Sequence, residues 1–325
     1  MVNKMRYTWI LFALILVAGT VYFYHSDSHK EKKYHVIFIP KIIDVKSDFW
    51  ILLTEGVELA AAENNIAVTI VGPESEDDYE YQNELIEWAI EQRPDAILLC
   101  PSNYTRTTEY ARKINNRGIP LVLIDSALDE DIGQALIATD NVRLGEIEGK
   151  FMKQFVRADS KIAIIGHVQN SSTAIQREAG VRKGLAEFED KIVEVVFCDS
   201  DYDKAYDLME ELMEKYPDID LVAGLNEYSA IGAARAIKDN SKKGQIKVVG
   251  IDSSLEEIQL LEEGIFEGIV IQNPFKMGYM GMETTARILK GEKVLKNIDS
   301  GCELITKDSV YTEENQKLLF PFKEE

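Results

Sequence analysis

Cysteine is scarce: Cys100, Cys198 and Cys302 lie far apart in 325 residues and form neither a Cys-x-x-Cys pair nor a metal-ligand spacing with histidine. The pattern argues against a disulfide framework or a zinc site, and the three read as buried thiols. Histidine is scarce too. Of the four, His25 and His29 precede the first strand and His35 opens it, which leaves only His167 for acid–base work. No Gly-x-Ser-x-Gly elbow, P-loop, His-Glu-x-x-His or Gly-x-Gly-x-x-Gly after the first strand is found. No catalytic residue can be named, so the chain is expected not to be an enzyme and to use no metal or cofactor. Basic residues are also in short supply: Lys+Arg 36 against Asp+Glu 56 gives 36 − 56 = −20. That charge repels nucleic-acid phosphates and anionic lipid, and nucleic acid is not an expected partner. No linker rich in Gly, Ser or Pro interrupts residues 34–325.

With 46% hydrophobic and 28% charged residues, the chain has enough apolar material for more core than one domain usually spans. Two lobes are expected. Lys4 and Arg6 precede an apolar run, Tyr7 to Tyr24, followed by a polar stretch, so residues 1–33 read as a signal or membrane-anchor segment with a stalk. The run is about 18 residues long, the lower end of what spans a bilayer. It ends in Tyr22, Phe23 and Tyr24, where a cleavage site wants small residues, and retention as an anchor is favoured. No cysteine near its end allows lipidation. A long following domain translocates largely regardless of the flanking Lys30, Lys32 and Lys33. The expected location is extracytoplasmic, attached to the membrane by an N-terminal helix, or secreted if the segment is cleaved.

From Tyr34 on, short β-branched runs alternate with amphipathic segments, the pattern of parallel sheets covered by helices. Strands are expected at His35–Ile39, Ala67–Val71, Ala96–Leu99, Leu121–Ile124, Ala135–Ala138, Ile162–Ile165, Ile192–Phe197, Leu221–Ala223, Lys247–Val249 and Ile269–Ile271. Between two of them, Ala205, Leu208, Met209, Leu212, Met213 and Tyr216 share one face of a helix over Asp203–Tyr216 and read as core. Ligands of open parallel sheets bind beyond the carboxyl ends of the strands. The residues found there are polar and varied: Lys41 to Asp44 and Asp48-Phe49-Trp50, then Asp125-Ser126, His167 and Gln169, Asn226-Glu227, Asp252, and Gln272-Asn273. Planar bidentate groups suit hydroxyls that both donate and accept, and aromatic plates suit a sugar's C–H faces, so the set fits a carbohydrate. Asp125 or Asp252 alone more often caps a following helix, and a lone His after a strand is more often a helix-start or surface residue. Trp50, Leu53, Val57 and Ala60 share helical spacing, which makes Trp50 a core candidate as well.

Several stretches in order, among them SDFWILLTEGVELAAAEN (Ser47–Asn64), GIPLVLIDS (Gly118–Ser126), QREAGVRKGL (Gln176–Leu185), NEYSAIGAARAI (Asn226–Ile237), VVGIDSS (Val248–Ser254) and GIVIQNPFKMGYMG (Gly268–Gly281), resemble the type I periplasmic binding proteins. That ribose- and galactose-binding group shares its fold with the effector domains of lac-repressor-like regulators, and the resemblance spans Tyr34 to Leu304. It implies an α/β fold of two doubly wound parallel-sheet lobes joined by a hinge: residues 34–139 with 273–300, and 140–272 with 301–325. It further implies that Phe49 and Trp50 sandwich a sugar ring, that Asp125 and Arg177 grip its hydroxyls, and that Asn226, Asp252 and Gln272 complete the contacts. Ser126 stands where ribose-type proteins carry arginine, so the ligand need not be ribose. The implied function is a monomeric solute-binding protein that closes on a small polar ligand, a monosaccharide above all. It would present that ligand to an ABC permease or a membrane sensor kinase. The alternatives are a receptor for a non-sugar signal such as an autoinducer furanose, or a sugar-active enzyme. A regulator is disfavoured because the apolar run occupies the place of a helix-turn-helix.

Overall fold

The computed structural model describes residues 33–319, and the expected segment 1–33 lies, apart from its last residue, outside them. Strands β1 (His35–Ile39), β2 (Ala67–Ile70), β3 (Ala96–Leu99), β4 (Leu121–Ile124), β5 (Ala135–Ala138) and β11 (Asn297–Asp299) form one sheet in the order β11-β5-β4-β3-β1-β2. Strands β6 (Ile162–Gly166), β7 (Ile192–Phe197), β8 (Leu221–Gly224), β9 (Lys247–Ile251), β10 (Phe266–Gln272) and β12 (Cys302–Thr306) form the other, ordered β12-β10-β9-β8-β6-β7. All pairings are parallel except β10 with β12. Runs such as Ala96–Leu99 and Leu121–Ile124 are buried at every residue, as strands covered by helices on both faces must be.

On the first sheet lie α1 (Asp48–Glu63), α2 (Tyr79–Glu91), α3 (Thr108–Asn116) and α9 (Pro274–Leu289), and α4 (Asn141–Met152), α5 (Ser172–Leu185), α6 (Tyr202–Lys215), α7 (Glu227–Asp239) and α8 (Leu255–Glu262) surround the second. A last helix, α10 (Glu313–Leu319), follows β12. The stripe expected on α6 is partly core: Ala205, Met209 and Leu212 are buried, with Leu208, Met213 and Tyr216 half-buried against the same cluster. Three helix pairs approach closely: a Cβ on Gly232 of α7 would lie 2.5 Å from the Tyr202 carbonyl oxygen of α6, and two other pairs are as tight. A Cβ on Gly180 of α5 would lie 2.3 Å from the Val142 carbonyl oxygen of α4, and one on Gly278 of α9 would lie 2.0 Å from the Leu53 carbonyl oxygen of α1.

The chain crosses between sheets three times, after β5, after β10 and after β11. The crossings are tied to one another: the Thr139 and Ser300 hydroxyls are 2.9 Å apart, and the Asp140 N–H donates to Asp299 Oδ1 at 3.2 Å. Both sheets can therefore pivot on one narrow set of segments. Strands β11 and β12 were not among those expected. The first is a three-residue edge strand reading Asn-Ile-Asp, and the second depends on pairing with β10, so neither carries an apolar run of its own. Among the described residues no helix is long and apolar enough to cross a membrane. The Tyr7–Tyr24 run lies outside them.

Candidate functional site

All seven candidate residues, Phe49, Trp50, Asp125, Arg177, Asn226, Asp252 and Gln272, line a single cavity where the carboxyl ends of the two sheets face each other. From the first lobe, Asp125 follows β4 and Lys41 follows β1. They form an ion pair at 2.7 Å with each side chain only 3% exposed. Lys41 also reaches the Thr173 hydroxyl of the second lobe at 3.3 Å. Phe49 and Trp50 start α1, and their rings meet edge to face, 5.1 Å apart at 85°. Adjacent residues of one helix turn cannot face each other across a ligand, so the expected pair of parallel plates is not formed. Trp50 is buried, and its indole N–H donates to Glu76 Oε1 at 2.7 Å.

From the second lobe, Arg177 on α5 donates from Nε to Asn141 Oδ1 and from one terminal nitrogen to the Leu225 carbonyl, both at 2.8 Å. Asp252, after β9, accepts from the Glu227 N–H at 3.0 Å and from the Gln272 amide at 2.7 Å. Neither aspartate is the N-cap of the helix that follows it, although Asp252 accepts from the first N–H of α7. Asn226 does: its side chain accepts from the Ser229 N–H at the start of α7, within a capping box. Asp125 and Asp252 hold φ of +65° and +96°, a region that non-glycine residues seldom occupy, and such backbone persists where surrounding structure enforces it, commonly at functional sites.

Direct hydrogen bonds join the two lobes over this cavity. Ser47 Oγ of the first donates to Glu227 Oε2 of the second at 2.8 Å, and Ser200 Oγ of the second donates to Glu76 Oε2 of the first at 2.8 Å. The Tyr228 hydroxyl reaches Asp44 at 2.5 Å, and the Leu255 N–H reaches Asp48 at 3.0 Å. The cleft is shut. Sequence reasoning did not single out Glu76, Tyr228, Ser47 or Thr173, although all of them line the cavity. Glu227 stands with Asn226 at a strand end, without a ligand contact assigned to it from the sequence, and it lines the cavity too. Glu76, in the loop after β2, sits in an acidic run that reads as solvated surface. His167, expected at a helix start or the surface, is 2% exposed and lines the cavity, whereas Gln169 is exposed.

Burial dominates the titration of these groups. Glu227 is pushed up to about 7 by desolvation against the Tyr202 and Ser47 hydroxyls that lower it, with Asp252 and Asp48 adding to the rise. Glu76 and Asp252 are likewise raised by burial, and His167 is held well below the usual imidazole range by burial and then by Arg177 and Lys41. Between the ordinary 4.5 and about 7 the folded chain binds a proton at Glu227 that the unfolded chain does not. This group's stabilisation is thus complete below the lower value and lost as pH rises through the upper one. His167 acts in the opposite sense, since its folded form resists protonation. Urea denaturation of wild type and Glu227→Gln across about pH 5 to 8 isolates the first effect: the stability of wild type relative to the variant should fall as pH rises. A pH-independent difference would contradict it.

The description "Periplasmic binding protein domain" attaches to a family model that matches residues 36–293. The ribose import binding protein RbsB of Bacillus subtilis (strain 168) is 27% identical over 281 residues, covering 86% of this chain and 90% of that protein. A sugar transporter from Clostridium phytofermentans has a solved structure that is 50% identical, with a TM-score of 0.81 over 85% of this chain and 100% of that one. An ABC transporter solute binding protein from Agrobacterium vitis, with bound D-fucose, is 30% identical, with a TM-score of 0.82 over 88% of this chain and 99% of that one.

Proposed function

Since the chain belongs to the periplasmic binding protein family, we propose that it is an extracytoplasmic solute-binding protein that closes on a monosaccharide. The observation that carries this reading is the cavity itself, bounded by both lobes and lined by Asp125, Arg177, Asn226, Asp252 and Gln272 together with the Phe49 and Trp50 rings. Planar groups of that kind match vicinal hydroxyls, and rings match C–H faces. The names of the relatives agree: ribose import for one, bound D-fucose for another. Ligand enters an open form, and contacts from both lobes favour the shut one. No acid–base pair positioned on a reacting atom is needed for this task, and we read the chain as a binder rather than an enzyme.

A membrane partner then reads closure. Relatives described as import and ABC transporter proteins support delivery to a permease. The apolar run Tyr7–Tyr24 supports attachment to the membrane, which would equally suit a sensor kinase. A thermal-shift panel of pentoses and hexoses tests the binding reading. At a hundredfold excess over Kd, a true ligand should add about 2.7 kcal/mol to the unfolding free energy. A panel in which no monosaccharide moves the transition would overturn it.

The helix contact behind Arg177 gives a further test. Gly180→Ala would set a methyl 2.3 Å from the Val142 carbonyl oxygen and force α5 away from α4. Arg177 sits one turn earlier on α5 and is braced on Asn141 of α4, so its guanidinium should move with the helix. The expected result is a loss of about 1–3 kcal/mol in stability, as for an overpacked core, together with weaker ligand binding. Wild-type affinity in a destabilised variant would show that Arg177 does not depend on this packing.

A further inference from the structure

We propose that the monosaccharide taken by this cavity carries a protonated amine, so that the ligand is an amino sugar rather than a neutral one. The inference rests on the sugar-binding reading above and adds a charge to it. Four carboxylates line the cavity, Glu76, Asp125, Glu227 and Asp252, against two cations, Lys41 and Arg177. Lys41 is taken up by Asp125 at 2.7 Å. Arg177 directs its Nε to the Asn141 side chain and one terminal nitrogen to the Leu225 carbonyl. Among the described residues, no salt bridge engages Glu76, Glu227 or Asp252. Their donors are neutral: the Trp50 indole and Ser200 for Glu76, Ser47 and Tyr202 for Glu227, and the Glu227 N–H and Gln272 amide for Asp252. Neutral donors orient a carboxylate without cancelling its charge; Lys41 acts on Glu76 and Arg177 on Asp252 from a distance, whereas the groups acting on Glu227 include no cation, and a buried charge without a countercharge is costly.

A second, independent observation points to a donor missing from the same wall. Gln272 is 4% exposed and turns its amide nitrogen to Asp252 Oδ1, which leaves its Oε1 buried with no partner. His167 is 2% exposed, with Nε2 held by the Thr173 and Ser171 hydroxyls and Nδ1 also without a partner. A sugar hydroxyl offers one proton to this wall. An ammonium offers three, with the positive charge that Glu227 lacks. Burial raises the Glu227 carboxyl to about 7, with Asp252 and Asp48 adding to the rise. The net charge of −20 adds a field that concentrates cations at the protein surface.

Calorimetry on the full chain in detergent, near neutral pH, tests this with matched sets: glucosamine, glucose and N-acetylglucosamine, then the galacto and manno counterparts. In at least one set the amine should bind about tenfold or more tightly than both its hydroxyl parent and its uncharged acetylated form, as a charge-assisted hydrogen bond outweighs a neutral one. Glu227→Gln should bring the amine-to-parent affinity ratio down to near one, and Asp252→Asn serves if the first variant fails to fold. The ratio is the readout because any general loss of closure lowers both affinities alike. Neutral sugars binding as well as or better than their amines would overturn the amine and leave sugar binding intact. Binding by no member of any set would overturn the amino sugar, and the pentose and hexose panel then decides separately whether sugar binding stands. An amine preference that survives both substitutions would overturn the role given to these carboxylates.

Discussion

Replacing Lys41 with methionine is expected to lower the unfolding free energy by about 3–5 kcal/mol, because it strands a buried carboxylate. Lys41 and Asp125 are each 3% exposed and 2.7 Å apart. Once the ammonium is gone, the Asp125 carboxylate keeps a hydrogen bond from the Ser126 hydroxyl at 2.8 Å. Asp125→Leu alone should cost a similar amount by stranding the ammonium. The double variant, with both charges replaced by apolar groups, should recover much of the loss, since an apolar pair of similar volume is often neutral relative to a buried ion pair. Denaturant titrations of the four proteins form a double-mutant cycle that yields the coupling. A loss under about 1 kcal/mol for either single variant, the range of solvent-exposed pairs, would show that the pair is not sealed from water. Every one of the three variants should bind ligand poorly, because Lys41 and Asp125 both line the cavity and Lys41 touches Thr173 across the cleft.

The alternation of strands and helices was legible because parallel strands covered by helices are largely apolar, and each of the ten mostly apolar runs from His35 to Ile271 falls on a strand. The rule that ligands gather beyond the carboxyl ends of strands found Asp125, Asn226, Asp252 and Gln272, residues that a common cavity now unites. Local sequence cannot report what a side chain meets from afar. Glu76 looks like one acid among several in a surface loop, yet Trp50 from one lobe and Ser200 from the other bury it. The same limit applies to Arg177. Its setting suggested a group reserved for ligand, whereas it also braces α4 through Asn141 and lies beside Glu148, a fully buried carboxylate with no hydrogen-bond partner that this guanidinium counteracts. Truncating Arg177 should therefore unsettle the empty protein as well as ligand binding.

Trp50→Ala decides which of two adjacent rings serves the ligand and which serves the core. Trp50 is 4% exposed, shares the inner face of α1 with Leu53, Val57 and Ala60, and supplies one of the two donors to Glu76. Removing it should cost about 3–5 kcal/mol, the usual loss for a buried aromatic truncated to alanine. Trp50→Phe separates the two contributions: most of the packing stays, and the Glu76 Oε1 atom loses its donor, an effect of about 1–3 kcal/mol. Phe49 is only half-buried on the same helix turn, so Phe49→Ala should melt close to wild type while losing affinity for the sugar identified by the panel. If instead Trp50→Ala melts like wild type and Phe49→Ala does not, the assignment is reversed, and the indole becomes the plate on which the ligand rests. Because the two rings stand at 85°, one flat ligand cannot stack on both, and a large loss of affinity without loss of stability can belong to only one of them.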